Sequence, residues 1–197
     1  MKIGIYGGTF DPPHMAHLSV AQACVEQLEL DEIIFLPNYR NPLKGREAVT
    51  PAKQRLEMVR LLISGKERLA VSDIELTRGG PSYAVDTMSE LQMAQAADYW
   101  FILGMDNVRQ LSKWKAPERL IRLCRLAAVG RSGTGSDILY RFPQEFRDRI
   151  DVVQMEPLPI SSTDIRNLIF QQKDVSKLVP ANVLAYIRDH KLYRKTE

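Results

Sequence analysis

Cysteine is nearly absent from this chain of 197 residues: only Cys24 and Cys124 occur, far apart and outside any CxxC spacing. That excludes a disulfide framework and a thiolate zinc cluster, and it suits a reducing, cytoplasmic setting. Charge of one sign is lacking as well. Lys and Arg number 27 against 24 Asp and Glu, a net charge of +3, so composition gives no footing for non-specific binding to nucleic acid or a membrane surface. Long apolar runs are missing too. The run from Ile3 to Tyr6 is stopped by Gly7 and Gly8, which reads as neither a signal peptide nor a membrane span. Repeats, low-complexity tracts and long linkers are also absent.

What is present is ordinary for a globular protein, with 45% hydrophobic and 26% charged residues, and the length can bury a substantial core. Short apolar, β-branched runs recur at 2–6, 32–36, 69–75, 99–103, 125–129 and 151–155, and helical patterns lie between most of them. Met15, Leu18, Val25 and Leu28 share one helical face; Leu56, Val59, Leu62 and Ile63 share another. Thr50-Pro51 and Ser82 read as helix starts, and Pro180 as the start of a C-terminal helix over 180–190. Alternating strand and helix with near-continuous apolar strands predicts an α/β, Rossmann-like, doubly wound and mostly parallel sheet with flanking helices. A short C-terminal helical segment, about 162–197, completes one expected domain over 1–197.

Ligands of such sheets bind beyond the carboxyl ends of the strands, so the loops that follow the strands are where a site is expected. The first of them is unusual. GGTFDPPHMAH, residues 7–17, holds two of the three histidines of the chain. Gly7 and Gly8 would permit positive φ and close approach of the backbone to a ligand, and the turn would present Thr9 and Phe10. The prolines would fix the entry to a helix whose N-terminal N–H groups favour an anion. His14 and His17, three apart, share the first turn. Two imidazoles over such a helix start suggest a phosphate site. A plain strand-to-helix turn stays open, as does a metal site with Asp11 as a third ligand. The glycine spacing fits neither GxxxxGK[ST] nor GxGxxG.

PLPISSTDIRNLIF is the second. Ser161 with Asp164 forms a relaxed capping box for a helix carrying Ile165, Leu168 and Ile169 inward. It is either only a well-capped helix, or a second phosphate site formed by Ser162, Thr163 and backbone N–H groups, with Arg166 adding charge.

GGTFDPPHMAH resembles the (H/T)xGH signature of the nucleotidyltransferase superfamily, and ISSTDIR resembles its second signature, SSTxIR. The chain is similar, within that superfamily, to the nicotinate-nucleotide adenylyltransferase family. The first histidine of the pair, GGPSYAVDT, Gly104-Met105-Asp106 and Trp114 carry that finer likeness, which runs to Tyr193. Three positions depart from the pattern. Ala16 replaces the usual Gly, Leu43 stands before Lys44 where His is common, and Ala84 stands where PSYT is frequent.

The resemblance implies adenylyl transfer from ATP to nicotinate mononucleotide, giving deamido-NAD and pyrophosphate. His14, His17 and Arg166 would be catalytic. Gly8, Thr9, Phe10, Lys44, Ile160, Ser161, Ser162 and Thr163 would meet ATP. Gly7, Ser82, Tyr83, Ala84, Gly104, Asp106, Trp114 and Arg131 would meet the mononucleotide. Mg²⁺ would ride on the ATP phosphates, with no dedicated protein metal site. Ser82 is expected as N-cap of a helix whose first turn favours a carboxylate over an amide. A homo-oligomer is compatible with the sequence, which does not decide it. A pantetheine-phosphate or nicotinamide-mononucleotide adenylyltransferase is the nearest alternative, although the former carries TxGH. A class I aminoacyl-tRNA synthetase would need a KMSKS loop and an RNA-binding domain, neither of which is seen. A non-catalytic nucleotide-binding module would have no need of the full His14, His17, Ser162 and Arg166 set.

Overall fold

A computed structural model describes residues 1–43, 48–131, 139–156 and 158–194. Six strands form one sheet: β1 (Lys2–Gly8), β2 (Glu32–Pro37), β3 (Leu69–Val71), β4 (Asp98–Gly104), β5 (Arg125–Gly130) and β6 (Ile150–Gln154). Their order is β3-β2-β1-β4-β5-β6, and every pairing is parallel. The chain leaves β1 toward one edge, then returns to build outward from β4, so β1 and β4 flank the point where winding reverses. A crevice opens there at the carboxyl ends of the strands.

Both faces of the sheet are covered, and period-two alternation assigns the side chains to them. Ile33, Phe35, Ile102, Ala127, Val129 and Val153 face α1 (Met15–Leu28), α2 (Ala52–Ile63), α8 (Ser162–Phe170) and α9 (Ala181–Asp189). Ile3, Ile5, Phe101, Leu103, Leu126 and Ala128 face α4 (Ala84–Ala94), α5 (Met105–Val108) and α6 (Pro117–Leu123). Two further short α-helices are α3 (Ile74–Arg78) and α7 (Gln144–Arg147), and a 3₁₀ turn spans Leu111–Lys113.

The helical face expected in α2 is buried as drawn. In α1 the fully buried positions are Ala21 and Cys24, while Met15 lies outward at 39% exposure. The apolar run 69–75 is no single strand. It pairs only over Leu69–Val71, and the N–H of Ile74 then donates to the Ser72 hydroxyl at 3.3 Å, turning the chain into α3. Ser82 is not the cap of α4: Tyr83 takes that position, and the Ser82 hydroxyl is occupied by the N–H of Tyr39 at 3.0 Å. Pro180 does stand at the start of α9.

Gly4, in the middle of β1, lets the α1–β2 turn, β2 and β4 close around it. A Cβ there would lie 2.8 Å from Leu30 Cδ1, 2.9 Å from Ile33 Cγ1 and 3.0 Å from Ile102 Cδ1. Gly4→Ala should therefore overpack the core and lower unfolding free energy by about 1–3 kcal/mol. A urea midpoint unchanged by the substitution would show that these side chains can move aside.

Candidate active site

The two signature segments, more than a hundred residues apart in sequence, meet over the end of β1. His14 is the N-cap of α1, with extended backbone (φ −152°, ψ 175°), and His17 is three residues inside. The His14 backbone N–H donates to His17 Nδ1 at 3.1 Å, and the rings stack at 3.8 Å between centroids. Because Nδ1 accepts, neutral His17 carries its proton on Nε2. Phe10 meets the His17 ring edge-on at 5.0 Å. His14 is 4% exposed, and its Nδ1 has no partner. Burial lowers its pKa to about 4, and burial together with neighbouring His14 holds the His17 pKa well below its ordinary value.

Ser161 caps α8 in the expected manner, accepting from the Asp164 N–H at 3.1 Å. The next residues reach across to the first signature. Ser162 donates to the Pro12 carbonyl at 2.8 Å, and Arg166 Nη1 donates to the Asp11 carbonyl at 2.7 Å. Arg166 Nη2 also reaches Thr163 Oγ1 at 3.2 Å. The result is one cavity of about 440 Å³, lined by Thr9, Phe10, His14, His17, Ile160, Ser161, Ser162, Thr163 and Arg166 with Asp11, Ala16 and Asn38–Asn41. Lys44 lies outside the described residues.

The glycines of the first loop act differently from expectation. Positive φ falls on Phe10 (50°), while Gly7 and Gly8 are not in that region. Their missing side chains make room for aromatic rings. A Cβ on Gly8 would sit 2.7 Å from the Phe10 ring, and one on Gly7 would sit 3.1 Å from that of Phe101. Phe10 is not presented outward either. It is 2% exposed and wedged against Tyr6, Phe35 and His17.

Three functional supports are not evident from the sequence. Arg55, 1% exposed, donates to the carbonyls of Thr50 (3.1 Å), Thr9 (2.7 Å) and Asn38 (2.7 Å). Asp11 is no free metal ligand. Its Oδ2 accepts from the N–H groups of Val49 and Thr50, and its Oδ1 accepts from the Tyr193 hydroxyl at 2.7 Å. Tyr193 in turn accepts from Thr50 Oγ1 at 2.9 Å, tying the end of the chain to its first loop. No cluster of three ligating side chains occurs among the described residues.

The residues expected on the mononucleotide side do not line this cavity. Gly104 is the N-cap of α5, and Asp106 in its first turn pairs with Arg109 at 3.7 Å. Trp114 packs edge-on against Phe101 at 5.8 Å, with its indole N–H buried and unpartnered. Tyr83 carries Lys115 Nζ over its ring at 4.6 Å, and that ammonium is paired with Asp86 at 2.7 Å. Arg131 is exposed just beyond β5. Gly8 joins through its backbone, its carbonyl accepting from the Asn38 N–H at 2.9 Å.

A family model described as Cytidylyltransferase-like matches residues 5–168. Over 99% of this chain and 98% of the relative, it is 38% identical to a probable nicotinate-nucleotide adenylyltransferase of Dehalococcoides mccartyi. The chain belongs to the nicotinate-nucleotide adenylyltransferase family. Another member, from Listeria monocytogenes, is 37% identical over 98% of both chains. The fold matches a Plasmodium falciparum nicotinic acid mononucleotide adenylyltransferase complexed with NaAD, at a TM-score of 0.79 and 22% identity, covering 98% of this chain and 97% of that one. As a family member the chain is a nucleotidyltransferase enzyme acting on nucleotide substrates. No helix of the described residues is long and apolar enough to cross a membrane.

The buried histidine pair of this family member gives its stability a definite pH dependence. His14 titrates near pH 4 when folded and near 6.5 when unfolded, so the unfolded chain binds more protons between those values. The contribution is complete above about pH 6.5 and is lost as pH falls toward 4, at a total of about 3 kcal/mol. His14→Gln should flatten that part of a urea-midpoint profile. A variant that retains the same fall would place its origin elsewhere.

Proposed function

We propose that this family member transfers the adenylyl group of ATP to nicotinate mononucleotide, giving deamido-NAD and pyrophosphate. The observation that carries the reading is the meeting of His14 and His17 with Ser162, Thr163 and Arg166 around one cavity. The 5′-phosphate oxygen of the mononucleotide attacks the α-phosphorus of ATP, a P–O bond forms, and the bond to pyrophosphate breaks. The nucleophile is already ionised at neutral pH, so no general base is required. Catalysis then rests on alignment and on donors aimed at developing phosphoryl charge.

The histidines suit that task as neutral donors. His17 presents Nε2–H to the α-phosphoryl oxygens because its Nδ1 is held by the His14 N–H. His14 faces the β-phosphate side, and its unpartnered buried nitrogen gains a partner when phosphate enters. Arg166 uses two contacts on Asp11 and Thr163 and keeps further N–H donors for the pyrophosphate, with Lys44 assigned beside it. Thr9, Phe10 and Ile160–Thr163 form the ATP side. Mg²⁺ would be carried by phosphate oxygens and offset their charge, since both oxygens of Asp11 are already hydrogen-bonded. No step here passes through it.

Trp114 is the stacking platform for the pyridine ring, beside Gly7, Tyr83, Gly104, Asp106 and Arg131. The first turn of α4, at Tyr83 and Ala84, faces the carboxylate, which a helix N-terminus favours over a neutral amide. All 197 residues act as one domain in this reading, and the cytoplasm is its setting.

His17→Ala should lower kcat by about 10²–10³ with the fold intact, as loss of one preorganised donor does. Turnover at the unmutated rate would make the histidine structural. Arg166→Ala should weaken ATP binding by about 1.5–3 kcal/mol in calorimetric titration and leave mononucleotide binding nearly unchanged. The reverse pattern would exchange the two halves of the cleft.

Pyrophosphate release tested with each mononucleotide should favour the acid by at least about tenfold in kcat/KM, about 1.4 kcal/mol. Equal values would refute recognition of the carboxylate by the α4 turn.

A further inference from the structure

Two anions must meet in this cleft, and the attacking phosphate and the triphosphate repel each other as they close. His14 and His17 are kept neutral by burial, so they supply direction and no net charge. Arg166 already spends two contacts on Asp11 and Thr163. Arg40 is the other arginine that lines the cavity among the described residues. It is exposed, and its guanidinium makes no hydrogen bond or ion pair with any of those residues.

The backbone that carries Arg40 is fixed from two sides. Toward the histidine loop, the Asn38 N–H donates to the Gly8 carbonyl at 2.9 Å, and Asn38 Nδ2 donates to Thr9 Oγ1 at 3.3 Å. Buried Arg55 holds the carbonyls of Thr9 and Asn38 together, each at 2.7 Å. Toward α4, the Ser82 N–H donates to the Arg40 carbonyl at 2.9 Å, and the Tyr39 N–H donates to Ser82 Oγ at 3.0 Å. Arg40 and Pro81 also form an isolated parallel bridge. An unpaired cation thus stands on anchored backbone, between the nucleotide cavity and the segment that leads into α4.

The two arginines belong to opposite ends of the stretch 8–12. Ser162 and Arg166 donate to the carbonyls of Pro12 and Asp11, whereas segment 38–41 bonds to Gly8 and Thr9. In the function proposed above, Arg166 meets the departing pyrophosphate. In-line displacement puts the attacking oxygen across the α-phosphorus from the leaving one. The cation at the other end of the loop is therefore placed for the attacking group.

We propose that Arg40 binds the 5′-phosphate of the acceptor and, by offsetting its charge, lets it approach the α-phosphorus of ATP. The identity of the acceptor rests on the function proposed above, and this role asks only that it carry a phosphate. Arginine suits the task, because its fork matches two phosphate oxygens and its charge persists at any working pH.

The experiment crosses removal of the side chain with removal of the ligand's phosphate. Arg40→Ala and Arg40→Lys are compared with the unmutated enzyme in calorimetric titrations of the acceptor mononucleotide, of the same nucleoside without its phosphate, and of ATP. Arg40→Ala should weaken the mononucleotide by about tenfold, as loss of a charge-assisted phosphate contact does, and leave nucleoside and ATP within about twofold. That is the reverse of the pattern expected for Arg166→Ala. Arg40→Lys should recover part of the loss, since it restores charge without the fork. Added salt should narrow the gap between Arg40→Ala and the unmutated enzyme. The melting temperature should move by less than about 2 °C, because the guanidinium has no partner to lose.

Equal weakening of mononucleotide and nucleoside overturns the proposal, since the phosphate would then not be what Arg40 holds. A loss that falls on ATP instead overturns it too, as does unchanged mononucleotide affinity. Where the nucleoside binds too weakly to measure, the mononucleotide and ATP values decide alone. A different phosphate-bearing acceptor used by the unmutated enzyme refutes the function proposed above. The same titrations are then read with that acceptor, so the two failures stay distinct.

Discussion

Everything at the mouth of the cleft depends on one buried guanidinium. Arg55 rises from the first turn of α2 and satisfies carbonyls from three separate stretches: Thr9 after β1, Asn38 after β2 and Thr50 before α2. A lysine has one point of charge on a flexible stem and cannot hold three diverging acceptors, whereas the planar fork of arginine can. Burial lowers the pKa of Arg55, and the negative charge of nearby Asp11 works against that shift. A cation placed so deeply would be costly without such partners. With them, it joins the turn after β1 to segment 38–39 and to Thr50 at the mouth of the cleft. The histidine loop and segment 38–41 then keep a fixed spacing before any nucleotide arrives.

Asp11 ties a second knot on the opposite side of the same loop. Its carboxylate gathers the N–H groups of Val49 and Thr50 and the Tyr193 hydroxyl, while its backbone carbonyl receives Arg166. The two signatures therefore do not merely lie near each other. Pro12 and Asp11 supply the carbonyls, Ser162 and Arg166 supply the donors, and the Tyr193 hydroxyl donates to the Asp11 carboxylate of the first signature. The segment after β6 is a working part of the cleft, since removing it would strip partners from a carboxylate that is 3% exposed.

The sheet was legible from the sequence because its signal is short-range. Apolar runs at 2–6, 32–36, 99–103, 125–129 and 151–155 each lie within a residue or two of an observed strand, since strands covered on both faces must be apolar throughout. The run at 69–75 misled for a related reason. Ile74 is partly buried by packing and Glu75 is buried with Thr87 as partner, which composition alone cannot distinguish from a strand. The histidine pair and the Ser161 cap could be read because each acts within one helical turn. Arg55 and Tyr193 could not, because Asn38 and Thr9 lie 17 and 46 residues from Arg55, and Thr50 and Asp11 lie 143 and 182 residues from Tyr193. Arg55 did leave a trace: it precedes Met58, Val59 and Leu62 by helical spacing, a charge on an otherwise buried face. The glycines misled in the other direction. Gly7 and Gly8 suggest unusual backbone, yet what they supply is space for Phe101 and Phe10.

Burial of the histidines explains how a cleft for polyphosphate can be assembled without one. Two imidazolium rings stacked at 3.8 Å would repel each other and would lack water, and both pKa values are accordingly lowered. The empty cleft thus folds with two neutral rings and stores no like-charge repulsion. Orientation is retained nonetheless, because the His14 N–H fixes the His17 ring and its tautomer. Neutral donors of set direction stabilise charge as it develops on a phosphoryl group and need no reorganisation at that moment. Full positive charge is carried by Arg40 and by Arg166, whose guanidinium is already pinned to the Asp11 carbonyl and to Thr163. In the proposed adenylyl transfer, directional donors deep in the cleft and permanent charge at its rim suit an anion that enters, reacts at its centre and leaves as a smaller anion.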